Sequence, residues 1–171
     1  MEWTGARYAD QPEVEVEAFV AAPPERVWPL LDPARMPPTS TELQSVEWID
    51  GATGPAEGSR FRGRNAHPSL GEWSVTGTVV TCEPSSTLVW EMDSADVGEG
   101  MPSSRWTLRC VPEGDGTRVH QQVRLGPGRS GLSRAIESMP DKEQKIVFVR
   151  LREFEGAMTR TLEAIRADAE A

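Results

Sequence analysis

Few side chains among these 171 residues are equipped to do chemistry, and their spacing limits what that chemistry can be. His120 shares one face of an alternating run with Gln122 and Arg124, opposite Val119, Gln121 and Val123. Turned inward, a histidine there serves as an acid or base near neutral pH. The favoured alternative is a solvated outer face. Asn65 falls in register with Phe61; if it looks inward, its amide needs a water or a ligand group to meet it. Asn65 and His120 are therefore the candidates for a catalytic role that the sequence leaves unassigned. Arg60, Arg62 and Arg64 line one face of a strand-like run, a pattern that either clamps a carboxylate or phosphate or keeps an exposed face soluble, the latter favoured. Glu13, Glu15 and Glu17 alternate in the same way and read as a solvated face. His67, next to Pro68, is expected in an exposed turn.

Other reaction classes lack their residues. The chain has no Gly-x-Ser-x-Gly elbow and no phosphate-binding glycine loop with lysine, and Gly126-Pro127-Gly128 reads as a turn. Two His and two Cys, neither pair spaced as ligands, leave no basis for a zinc centre, and no metal or cofactor is expected. Cys82 and Cys110 lie in strand-like runs and are expected as buried thiols. Lys plus Arg number 18 against 27 Asp plus Glu, a formal charge of -9 that repels nucleic acid and anionic membrane surfaces. The first residues carry no basic segment followed by an apolar stretch, so a cytoplasmic protein without membrane insertion is expected.

The elements that must position these residues emerge from hydrophobic period. Val14, Val16, Ala18 and Val20 alternate with Glu13, Glu15 and Glu17, a strand with one wet face. Residues 1–12 before it are expected to be loosely ordered. Pro23-Pro24 opens a short helix with Val27, Trp28 and Leu31 on one side; Pro33, Pro37 and Pro38 limit the next segment to a second broken helical piece reaching about residue 42. Glycine and proline punctuation, from Gly51 through Gly98 and Gly100 to Gly116, brackets further strands near 43–50, 59–66, 72–83, 87–93, 104–111 and 117–125. Trp73, Trp90 and Trp106 point to one interior. After Gly128 a short helix, 130–138, precedes a long one capped by Ser138, with Val147, Leu151, Phe154, Met158, Leu162 and Ile165 in one stripe. About 27 residues at about 1.5 Å each make a rod of about 40 Å, enough to cross a sheet. The fold class is α+β, one domain over 13–168: a seven-stranded curved antiparallel sheet around a long C-terminal helix, with two short helices after the first strand.

That order resembles the helix-grip fold of the START-like superfamily. The local sequence is similar to its bacterial polyketide cyclase/dehydrase branch in Ala22-Pro23-Pro24-Glu25-Arg26-Val27-Trp28, Gly58-Ser59-Arg60-Phe61-Arg62-Gly63-Arg64-Asn65, Trp73, Leu88-Val89-Trp90-Glu91, Arg105-Trp106-Thr107-Leu108 and Gly116-Thr117-Arg118-Val119. The resemblance implies a cavity between sheet and helix that takes a hydrophobic small molecule, whether polyketide, aromatic or lipid.

A curved sheet gripping one helix leaves inward space that large side chains line. The wall candidates are Trp28, Phe61, Asn65, Trp73, Trp90, Met92, Trp106, Leu108, Phe148, Leu151 and Met158, which otherwise fill a solid core. Three functions stay open: a binding protein, a cyclase or dehydratase needing only one or two proton-moving groups, and a protein-interaction domain. Monomer and dimer are both compatible with the sequence.

Overall fold

Valine, threonine and tryptophan at every second position favour a pleated backbone whose two faces see different surroundings, and the chain builds its sheet from such runs. A computed structural model describes residues 1–68, 71–95 and 100–171. The strands are β1 (Glu13–Val20), β2 (Leu43–Ile49), β3 (Arg60–His67), β4 (Gly71–Glu83), β5 (Thr87–Met92), β6 (Ser104–Glu113) and β7 (Gly116–Leu125). They form one antiparallel sheet in the order β1-β7-β6-β5-β4-β3-β2. The expected seven strands and their faces are present, with ends within three residues of those read from the sequence. Gly98, one of the expected turn glycines, lies outside the described residues.

Between β1 and β2 runs a one-turn helix α1 (Pro24–Val27) and then three 3₁₀ turns, Trp28–Leu30, Pro33–Arg35 and Pro37–Thr39. Prolines 29, 33, 37 and 38 deny this segment the backbone donors a longer helix needs. The expected second helical piece is thus a chain of single turns. Helix α2 (Gly131–Ser138) begins at Ser130, whose Oγ accepts from the Leu132 amide. Ser138 caps nothing downstream: it ends α2, and its hydroxyl donates to the Ala135 carbonyl. Pro140 restarts the chain as a 3₁₀ turn before α3 (Glu143–Glu170), 28 residues or about 42 Å long. Among the described residues no helix is long and apolar enough to cross a membrane.

The buried stripe of α3, Val147, Leu151, Met158, Leu162, Ile165 and Ala169, faces the inner side of the sheet, with the small Thr161 beside it. Each fully buried Leu or Val there contributes about 1.5–3 kcal/mol. The core divides into two clusters. One gathers Val20, Val27, Leu88, Leu108, Val119 and Ile165; the other gathers Val14, Val123, Leu125, Val147, Leu151 and Met158. Val16 and Trp106 pack against both.

Residues 1–12 lie against α3 and the turn after β7. Tyr8 donates its hydroxyl to the Gly128 carbonyl at 2.6 Å, its amide donates to Glu143, and Arg7 pairs with the same carboxylate. Both cysteines are free thiols. Burial pushes the Cys110 thiol up to about 11, which makes it a protonated apolar filler at neutral pH.

Candidate functional site

A row of aromatic rings crosses the concave face of the sheet. Trp48 meets Phe61 edge-on at 5.6 Å, Phe61 meets Trp90 at 6.5 Å, and Trp90 stacks on Trp106 with centroids 6.1 Å apart and planes 2° from parallel. From the helix side Phe154 closes the row, edge-on to Trp106 at 5.1 Å. Register explains the order: Trp48 pairs with Phe61 across β2–β3, and Trp90 with Trp106 across β5–β6. Gly77, the partner of Phe61 on β4, leaves room for that ring. A Cβ on Gly77 would stand 2.5 Å from Phe61 Cζ and 2.9 Å from Met92 Sδ. Asn65 sits in the same face, between Leu43 and Trp73 in register, and is half-buried as Trp73 and Met92 are.

The margin of this row toward β2 carries an ion pair. Arg150 on α3 grips Glu42 with both guanidinium nitrogens, at 2.7 and 3.0 Å, and also reaches Glu153 at 2.9 Å. Its Cζ lies over the Phe154 ring, 4.4 Å from the centroid. The paired carboxylates hold the Arg150 pKa above its ordinary value despite the opposing effect of burial.

Further along α3 lies a cavity of about 310 Å³ between the proline-rich segment and the helix. Leu30, Met36, Pro38, Leu108 and Ile165 give it apolar walls, and Ala164 stands at its helix side. Its edge is polar: Arg35 pairs with Asp168 at 2.8 Å, and Thr39 and Thr161 share a hydrogen bond at 2.8 Å. Desolvation at the same edge raises the Asp32 carboxyl above its usual range.

Across from the cavity-lining Leu108 sits the most informative polar group. Gln121 on β7 is 1% exposed, paired in register with Leu108 on one side and Val16 on the other. Its Oε1 is the one buried side-chain oxygen or nitrogen without a partner among the described residues. An unpaired buried carbonyl oxygen costs about 1–3 kcal/mol.

The structure distributes the eleven wall candidates unevenly. Leu108 lines the cavity. Phe61, Trp90, Trp106, Trp73, Met92 and Asn65 share the concave face, the first two almost fully buried. Leu151 and Met158 are packed into the second core cluster, and Trp28 lies against the first. Phe148 turns the other way: it meets Trp3 edge-on at 5.1 Å and lies below Arg152, because it stands one residue off the buried stripe. Sequence reasoning misses Gln121 as a site residue, although Val119 and Val123 two residues away on either side place it on a buried face.

His120 points outward. Its Nδ1 lies 2.9 Å from Glu15 and 3.4 Å from Glu17, and Arg109 and Arg118 reach the same carboxylates at 3.7 and 3.8 Å. Glu15, Glu17 and His120 bring three ligand-type atoms within 4.8 Å of one another. The two guanidinium groups already balance that negative charge, so the grouping reads as a cross-strand charge ladder. Arg60, Arg62 and Arg64 also lie on the outer face, with Arg60 paired to Asp50 and Asp93 and Arg62 to Glu47.

Residues 11–170 match the family described as polyketide cyclase / dehydrase and lipid transport. No curated protein is matched by the sequence. Among solved structures, the polyketide-cyclase-like protein Cgl2372 of Corynebacterium glutamicum is 26% identical, with a TM-score of 0.60 over 90% of this chain and 88% of that one. The di-domain ARO/CYC StfQ of the steffimycin biosynthetic pathway is 13% identical, with a TM-score of 0.68 over 92% of this chain and 50% of that one. This chain thus spans about half of that di-domain protein and has a similar fold. The structure of Ara h 8.0201 is 14% identical with a TM-score of 0.52, over 89% of this chain and 98% of that one.

Proposed function

The chain belongs to the polyketide cyclase/dehydrase and lipid transport family, and on that premise we propose that it binds a polyketide-like, apolar small molecule between the concave sheet face and α3. The observation that carries this reading is Gln121 Oε1. It is a buried hydrogen-bond acceptor without a partner, set among apolar side chains and next to a wall of the 310 Å³ cavity. Folded proteins pair nearly all such groups, and a ligand hydroxyl arriving along the cavity would supply the missing donor. The surrounding Leu108, Met36 and Ile165 would bury the ligand's apolar body.

The test is thermal unfolding against a panel of aromatic polyketides, flavonoids, sterols and fatty acids. A ligand at about 100 times its dissociation constant adds about 2.7 kcal/mol to the folded state, a shift of several degrees for a chain of this size. The Ala164→Trp variant supplies the control. Ala164 is exposed on α3 and lines the cavity, so an indole there fills the space without disturbing the buried stripe. Its own melting temperature should stay within about 2 °C of the parent, while the ligand-induced shift disappears. A shift that survives in Ala164→Trp would place the ligand elsewhere.

Asn65 supports a second reading. A half-buried amide on the concave face beside Trp73 is suitably placed to orient an enol or carbonyl in an aldol cyclisation or dehydration. In that case Asn65→Ala lowers product formation by about a hundredfold and leaves the ligand-induced melting shift in place. Loss of both together would make Asn65 a binding residue only.

A further inference from the structure

No Asp, Glu, Lys or Arg of the strands points into the space between sheet and helix, and the charged groups that line the cavity are Asp32, Arg35 and Asp168 at its edge. Along β1–β7 the inward positions alternate with all the Glu and Arg residues of the strands, and among the described residues the one ionisable side chain with inward parity is His67, at the far end of β3. Five others are polar and do not ionise: Asn65, Ser104, Thr117, Gln121 and Thr161 of the facing helix. Three of these five already have partners, since Ser104 accepts from Trp106 Nε1, Thr117 donates to the Ala22 carbonyl, and Thr161 bonds Thr39.

The cations nearest the two margins are engaged as well. At the cavity edge Arg35 faces Asp168 and Asp32; at the aromatic margin Arg150 is gripped by Glu42 and flanked by Glu153. Each margin therefore holds one guanidinium against two carboxylates. Arg160, on the outer side, donates its Nε to the Thr39 carbonyl. An anionic group moving inward at either margin would leave water, meet a guanidinium that is already paired, and pass carboxylates on the way.

Building on the ligand-binding reading, we propose that this site selects uncharged hydroxylated ligands and excludes carboxylates, so that phenols, enols and alcohols bind where the acids of the same skeleton do not. A free fatty acid or an aromatic acid is the wrong chemistry for this interior, and a neutral aromatic alcohol is the right one. Selection comes from the cost of an unpaired charge, with the apolar contacts left equal.

The experiment compares three probes of one skeleton, 2-naphthol, methyl 2-naphthoate and 2-naphthoic acid, by titration calorimetry at about pH 7.5. The naphthol is expected to bind at least about tenfold more tightly than the acid, a ratio worth 1.4 kcal/mol, with the ester between them. As pH falls toward the acid's own titration range, near pH 4 to 5 for carboxylic acids, its affinity should rise about tenfold per unit, because only the neutral form enters, while that of the naphthol stays flat. Equal binding of naphthol and naphthoate at pH 7.5, or an acid whose affinity ignores pH, overturns the proposal and leaves the cavity intact. If none of the three binds at any pH, while the broader ligand panel is also silent, the cavity reading itself fails and this proposal falls with it.

Discussion

Truncating Leu108 to alanine is expected to lower stability by about 4 kcal/mol, near the upper part of the range for a buried leucine. Leu108 is fully buried in the first core cluster, opposite Leu88 on β5 and Gln121 on β7. Most sites recover part of such a loss by collapsing inward. Here the removed methyls border a cavity of about 310 Å³, so the new void joins an existing one and the neighbours on α3, held by Thr39–Thr161 and Arg35–Asp168, have nothing to lean on. The melting temperature should fall by about 10 °C. A second readout separates this from a general core defect: the variant should gain affinity for ligands one ring larger than those the parent prefers. A loss of about 1 kcal/mol with no change of ligand size would mean that Leu108 does not wall the cavity.

Replacing Gln121 by methionine should move stability and affinity in opposite directions. Methionine nearly matches the shape and removes the unpartnered oxygen, so the folded state should gain about 1–3 kcal/mol and melt several degrees higher. Hydroxylated ligands should meanwhile bind about tenfold less tightly, having lost one hydrogen bond in a dry surrounding. Ligands without a hydroxyl should bind as before. The informative combination is a more stable protein with a weaker preference for the hydroxyl. Lower stability in Gln121→Met would show that the amide has a partner in solution and does not wait for a ligand.

Local pattern explains why so much of the architecture is legible in the sequence. The alternation in β1 and β7 and the spacing of Val147, Leu151, Met158, Leu162 and Ile165 depend on neighbours two to four residues away, and the elements they define appear where the pattern puts them. The break between α2 and α3 is harder. Serine before a proline and a helical run looks like a cap, yet Met139, non-helical at φ -142° and ψ 63°, ends α2 and Pro140 begins afresh in a 3₁₀ turn. The site is less legible still. His120 attracts notice as one of two histidines, but the alternation that buries Val119 turns it toward Glu15 and Glu17. Gln121 sits in the favourable register and carries no chemical signature of its own; what distinguishes it is a missing partner, which exists only once β1, β6 and β7 are side by side. The cavity likewise depends on how four prolines hold residues 28–39 against residues far along α3, a long-range fit that no window of sequence contains.

The order of strands has a consequence for how the chain is made. β1 pairs along its whole length with β7, whose residues lie about a hundred positions later, and it packs under α3, later again. A ribosome therefore releases Val14, Val16 and Val20 long before the surfaces that shelter them exist. Through most of synthesis the nascent chain must keep this strand unpaired, as the Glu13, Glu15 and Glu17 carboxylates on its other face help it do by repelling neighbours of the same kind. Folding of the sheet is thus postponed until β7 has emerged, and the strand of the sheet translated first is among the last to be covered.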